Sequence, residues 1–256
     1  MAGIDLATSS DAGVLALLRT HPGVTATAEG EKLLQFHQGE TVREVRVGDP
    51  TAEVFGLVEL VDNNPLVCAT AASIPTPAGT LALIALGPVC LAGAALRPPI
   101  LQLNMPAANA ELVATLRATA PLDQLRLITP NEDRTVGAFV EGGLFGRGVL
   151  AQGLLAAQAA VDVPSSYGLA EVISMFDERF GRSFYVRRDT STGFFKPDAL
   201  LGKPYASYRV GTSKGASETR VLIEVAADPA GKPGAAGLIH AMNVMAGLEE
   251  SLGLVG

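Results

Sequence analysis

Thirty-one consecutive residues, Leu66 to Leu96, carry no charged side chain. A stretch of that length and polarity either crosses a bilayer or lies at the centre of a core. Pro75, Pro77 and Pro88 interrupt it, and no cluster of Lys or Arg flanks either end, so it reads as core and no membrane partner is expected. Thr80 to Leu91 combines helix formers with an apolar surface on every side, which predicts a helix buried all round. The approach to that helix, Ile74-Pro75-Thr76-Pro77, is where a site is expected. A chain of 256 residues around such a helix can bury a large core in one domain or two modest ones.

The flanking segments alternate between strand and helix signals. Ile4 to Ala7 predicts a strand, Ser9-Ser10-Asp11 an N-cap, and the periodic Val14, Leu15, Leu17 and Leu18 a helix that ends at His21-Pro22-Gly23. Val24 to Ala28 and Glu40 to Val47 alternate as strands. Further on, strands are predicted at Ile100 to Leu103 and Leu125 to Thr129, with a helix at Asn109 to Ala118. The apolar segment Val149 to Val161 reads as a strand rather than a helix. Ser165 or Ser166 is the expected cap of a helix over Leu169 to Phe180. Phe184 to Arg187, Ser207 to Gly211 and Arg220 to Ala226 read as strands, and Ala235 to Leu248 as a closing helix. The order implies an α/β region leading into a mixed α+β sheet.

Charge and cysteine usage exclude several functions. A net charge of -7, a pI near 5.0 and the absence of a basic run leave no footprint for a nucleic-acid backbone. Cys68 and Cys90 have no CxxC spacing and no nearby His, so neither a disulfide framework nor a metal site is expected. With no secretory signal at Met1 to Asp5, a cytoplasmic location follows. An apolar fraction of 48 % with a mean hydropathy of +0.31 is high for a monomer and points to a subunit interface, hence a homo-oligomer. Arg187, Arg188, Tyr205 and Tyr208, on or near predicted strands, are expected to line it.

Gly234-Ala235-Ala236-Gly237, followed by Met242-Asn243-Val244-Met245-Ala246-Gly247-Leu248-Glu249-Glu250-Ser251-Leu252-Gly253-Leu254, resembles the C-terminal signature of N-acetyl-gamma-glutamyl-phosphate reductases. Phe55-Gly56-Leu57-Val58-Glu59-Leu60 is similar to that family's Tyr-Gly-Leu-Pro-Glu segment, and Arg147-Gly148-Val149-Leu150-Ala151 to its Arg-Gly-Ile-Leu-Ala segment. Leu66 to Thr76 resembles the loop and helix start that carry the family's nucleophilic cysteine. The chain is thus similar to a shortened member of the N-acetyl-gamma-glutamyl-phosphate reductase and aspartate-semialdehyde dehydrogenase group.

The resemblance implies a truncated Rossmann-like N-terminal region joined to an α+β domain with a mixed sheet of the semialdehyde dehydrogenase dimerisation type. Residues 1–65, completed by the C-terminal helix at 233–256, would be the remnant of the dinucleotide-binding domain, and 66–232 the catalytic or dimerisation-like domain. Aligning Ile74-Pro75-Thr76 with the family's Tyr-Pro-Thr places Ser73 at the nucleophile, where a serine forms no thiolate; a second register gives the role to Cys68. Arg147, among Gly142, Gly143, Gly146 and Gly148, would clamp an anionic substrate. Asn243 corresponds to a residue beside the nicotinamide of NADP. The family's acid-base histidine has no counterpart, because His21, His37 and His240 all fall outside its region. Ile4 to Ser10 resembles a later part of the nucleotide domain, and no glycine fingerprint precedes it. Two readings follow: a non-catalytic oligomeric subunit, or partner of a complete paralogue, that holds no cofactor by itself; or an active NADP-dependent reductase using Cys68 or Ser73. A third leaves a small-anion site near Ser73 and Arg147.

Overall fold

The computed structural model describes residues 3–61, 63–128, 153–191, 197–215 and 217–254. Arg147 and the surrounding glycines lie outside them.

Strand β1 (Ile4–Ser9), helix α1 (Ala12–Thr20) and strand β2 (Val24–Glu29) form a β-α-β unit with β1 and β2 parallel. The predicted cap is Asp11, whose Oδ1 accepts from the Val14 N–H at 2.9 Å. β3 (Leu34–Gln38) and β4 (Thr41–Val47) make a hairpin whose turn uses Gly39 at φ +60°. β3 had no counterpart among the expected strands: only Leu34 and Phe36 of its five residues are apolar, and both point into the core. β5 (Val54–Phe55), helix α2 (Asn63–Cys68) and β6 (Ala71–Ile74) complete a sheet of order β2-β1-β3-β4-β6-β5. Only β3 runs against the other five. The sheet therefore extends through Ile74, past residue 65.

A strand, a helix and a parallel neighbouring strand are the crossover unit from which a dinucleotide fold is built, and Ser9-Ser10-Asp11 forms its βα turn. Six residues alone separate β4 from β5.

Helix α3 (Pro77–Leu91) connects the sheets. Ala78 to Cys90 are all buried, as the uncharged sequence demands, and Thr76 caps the helix by accepting from the Gly79 N–H. No helix among the described residues is long and apolar enough to cross a membrane.

The second sheet, of order β10-β11-β12-β9-β7-β8, contains β7 (Ile100–Leu103), β8 (Arg126–Ile128), β9 (Leu155–Pro164), β10 (Val186–Arg188), β11 (Ala206–Lys214) and β12 (Glu218–Ala227). Helices α4 (Asn109–Thr119) and α5 (Leu169–Phe180) join α3 over the face bearing Val161, Val163, Val221, Ile223 and Val225. Gly168, not Ser165 or Ser166, begins α5: its N–H donates to Glu171 Oε2 at 2.9 Å. Tyr208, expected at an interface, is 1 % exposed and packs on Phe176 and Phe180 with centroids 5.1 and 5.7 Å away. Strand alternation aims it inward, where its ring adds to the core. The opposite face carries the cross-strand pairs Ala156–Ala226, Gln158–Glu224, Ala160–Leu222 and Asp162–Arg220.

The closing helix α6 (Ala235–Met245) returns to the first sheet and packs beside α1 on β4 and β6. Its buried face joins Val14, Leu18, Phe36 and Val45 in a second core.

Candidate functional site

In open α/β sheets, ligands bind at the carboxyl ends of the parallel strands. Here the central part of that edge consists of Ser9-Ser10-Asp11 after β1, Gly48-Asp49 after β4, and Ser73 to Thr76 at the end of β6, with the ends of β2 and β5 at its flanks. Each segment is closed by its own side chains. Ser9 Oγ donates to the Leu33 carbonyl and accepts from the Asp11 N–H at 3.0 Å. The Asp11 carboxylate occupies the N-terminus of α1, the place where a dinucleotide fold holds pyrophosphate on free backbone N–H groups. A phosphate there would meet a negative charge and a donor already in use. The turn does not fit the nucleotide that the fold family implies. Asp11→Ala is expected to lower stability by about 1 kcal/mol, measurable as a shift in urea midpoint, because the cap is lost.

Ser73 is 2 % exposed. Its Oγ accepts from the Asp49 N–H at 2.9 Å and lies 3.3 Å from the Ile74 carbonyl oxygen. Among the described side chains, no histidine, lysine or cysteine hydrogen-bonds it. Thr51 and Arg46 hold the neighbouring Asp49 carboxyl down to about 2, so a second anion persists at this edge. Cys68 is exposed and ends α2, three residues before β6 begins. It therefore sits at the amino end of β6, opposite the edge that Ser73 and α3 share. The two nucleophile candidates are not brought together.

Asn243 is fully buried on α6. Its Nδ2 donates to the carbonyls of Glu250 and Leu252 at 3.0 and 2.9 Å, while Oδ1 accepts from His21 Nε2 at 2.9 Å. These three bonds tie Glu250 to Leu252 and the end of α1 to α6.

Beside Asn243 lies a polar cluster not anticipated from the chain's motifs. Lys232 Nζ is 2.8 Å from Glu59 Oε2 and 2.9 Å from His240 Nδ1. His240 Nε2 is 3.2 Å from Glu250 Oε2. Ser183 Oγ donates to Glu59 Oε1 at 3.0 Å, and Tyr185 stacks on the His240 ring at 4.0 Å. Lys232, His240 and Glu59 have side chains 2 %, 0 % and 5 % exposed, so only the half-exposed Glu250 meets solvent. Nδ1 of His240 faces a donor and Nε2 faces an acceptor, which a neutral ring protonated on Nε2 satisfies. Burial, reinforced by the Lys232 ammonium, lowers the His240 pKa. Burial acts to raise the Glu59 carboxyl, yet the Lys232 ammonium holds it below its ordinary value. The cluster joins the turn after β5, α6 and the segment entering β10, so it clamps the two sheets together.

An open groove of about 820 Å³ runs between α1, the start of α6 and Glu249 to Leu254. None of Cys68, Ser73 or Asn243 lines it. No group of three or more potential metal ligands occurs among the described residues.

Aspartate semialdehyde dehydrogenase II from Vibrio cholerae, complexed with ASA, superposes with a TM-score of 0.57 at 10 % identity, covering 96 % of this chain and 98 % of that one. The chain has the semialdehyde dehydrogenase fold. A second structure of the same Vibrio enzyme gives a TM-score of 0.55 at 9 % identity, over 94 % and 97 % of the two chains. No protein-family model matches the sequence, and no curated protein matches it either. What the semialdehyde dehydrogenase fold fixes here is the layout: a Rossmann-like sheet, a buried linking helix and a second α+β sheet.

Lys232 escaped sequence reasoning because it stands in a Gly-Lys-Pro-Gly turn without periodicity. Glu59 lay inside a segment chosen for its resemblance, but its partner is 173 residues away, and only the tertiary fold supplies it.

Proposed function

We propose that this protein is an oxidoreductase-like relative of the semialdehyde dehydrogenases that works as a non-catalytic oligomeric or partner subunit and does not hold NADP by itself. The observation that carries the proposal is the state of the carboxyl-end edge. Its βα turn is filled by the Asp11 carboxylate, and the serine at the expected nucleophile position is buried and bonded to the Asp49 backbone. The semialdehyde dehydrogenase reaction that the resemblance implies needs a bound nicotinamide next to an activated nucleophile, and among the described residues neither requirement is met at that edge.

The outward face of the second sheet supports association. Ala156, Ala160 and Ala226 there are already buried within the chain, so a two-fold sheet-to-sheet contact would rest on the partly exposed Gln158 and Leu222 beside them.

Titration of the purified protein with NADPH and NADP, followed by fluorescence and thermal shift, should show no saturable change. Binding to the native state raises the melting temperature by mass action, so a concentration-dependent rise would overturn the proposal. The exposed Cys68 is the feature that favours the alternative, an active reductase. Cys68→Ala should leave oligomeric mass and melting temperature unchanged, and a reductase activity abolished by that substitution would establish the alternative.

A further inference from the structure

Among the described residues each of the two sheets has two edges, and three of these four are short or charged. β5 has two residues, β8 has three and opens with Arg126, and β10 is Val186-Arg187-Arg188. Short strands and edge cations are the usual means of preventing unintended strand pairing. The fourth edge, β2, has neither. Its sequence is Val24-Thr25-Ala26-Thr27-Ala28-Glu29, rich in β-branched residues, with no Pro, no Lys and one carboxylate at its very end. Its register against β1 is constant from Ile4–Val24 to Ser9–Glu29, so no bulge turns it away. Thr25, Ala26, Ala28 and Glu29 are exposed.

We propose that β2 is a self-association edge, pairing antiparallel with β2 of a second copy so that the two six-stranded sheets become one. The sequence is self-complementary for this. In an antiparallel pair related by a two-fold axis through the sheet, opposite residues point to the same face, so their numbers must sum to an even value. An axis through Ala26 sets Thr25 of one copy against Thr27 of the other, and Val24 against Ala28. Threonine pairs of this kind are favourable across antiparallel strands. Glu29 falls beyond the paired stretch, so the only charge on the edge never opposes its own copy. The arrangement closes at two copies: the other edge of the same sheet, two-residue β5, is too short to continue it. This contact uses a different surface from the outward face of the second sheet and stands whether or not the chain is catalytic.

The test is oligomeric mass by sedimentation velocity or light scattering. Thr25→Lys combined with Thr27→Lys places ammonium groups opposite each other at both pairs, and the variant should have half the mass of the unmodified protein with its melting temperature retained. The Thr25→Glu, Thr27→Glu variant should also have half the mass, and mixing the two should restore the full mass. Should the lysine variant misfold, Ala26→Cys in a Cys68→Ala background keeps the question open to measurement. Directly opposed residues have Cα atoms about 4.5–5.5 Å apart, within disulfide reach. Oxidation should then link two copies through position 26 and leave an Ala28→Cys control unlinked. Equal mass for the lysine variant and the unmodified protein, or no linkage at position 26, overturns the proposal. So does an unmodified protein that is monomeric and pairs β2 only with an added extended peptide.

Discussion

Lys232→Ala is expected to lower the free energy of unfolding by about 3–5 kcal/mol, the range found when one member of a buried ion pair is removed. The Glu59 side chain is 5 % exposed, and its 2.8 Å contact with Lys232 is the close cationic partner of a carboxylate otherwise met by the Ser183 hydroxyl. Deleting the ammonium leaves an anion in a site that solvent does not reach. His240 would lose the donor at Nδ1 in the same change. Urea unfolding measures the loss. The double variant Lys232→Met, Glu59→Gln removes both charges at similar volume and should recover most of it. A cost below about 1 kcal/mol for the single change, or a double variant no better than the single, would remove the clamp from the account of stability.

Acidification should destabilise the protein well above the range in which exposed carboxylates titrate. His240 and His21 both have folded-state pKa values lowered, in each case chiefly by burial. The geometry states why: Nδ1 of His240 faces the Lys232 ammonium, and Nδ1 of His21 accepts from the Gly23 N–H at 3.1 Å. Adding a proton to either nitrogen sets donor against donor. The unfolded chain therefore takes up protons first, near pH 6.5, while the folded chain does not. The stabilisation is fully present above that pH and is lost as the pH falls below it. The slope approaches about 1.4 kcal/mol per pH unit from His240 alone, with His21 acting in the same direction. Melting temperature should accordingly drop between pH 7.5 and 5.5. His240→Gln, which cannot take up a proton, should flatten the slope even where it lowers overall stability. An unchanged slope in that variant would place the acid sensitivity elsewhere.

The elements legible in the chain were those that announce themselves locally. α3 follows from an uncharged run with prolines at its entrance, α1 from a cap and a 3.6-residue period, and β11 and β12 from alternation. β3 was not legible, because two apolar residues among five carry little period. For Tyr208 the alternation shows a strand but not which way the strand faces, so an interface position is expected where the core is found. Which face of a central strand meets the helices depends on what packs over it, and here Phe176 and Phe180 of α5 do.

The site divides in the same way. That Ser73 stands ahead of Ile74-Pro75-Thr76, and that no glycine-rich turn opens the chain, are facts of composition and order. What the serine does depends on the Asp49 N–H, 24 residues earlier, which the parallel pairing of β4 with β6 delivers to it.

By itself, the sequence determined the buried helix, the alternation of strands and helices around it, and the residue types missing from a nucleotide turn, since each depends on neighbours within a few positions. Tertiary structure alone decided that Glu59, Lys232 and His240 share one dry pocket, that Cys68 and Ser73 lie at opposite ends of a strand, and that β2 is left at an edge. These depend on contacts between residues far apart in the chain, where burial rather than local preference sets the energy.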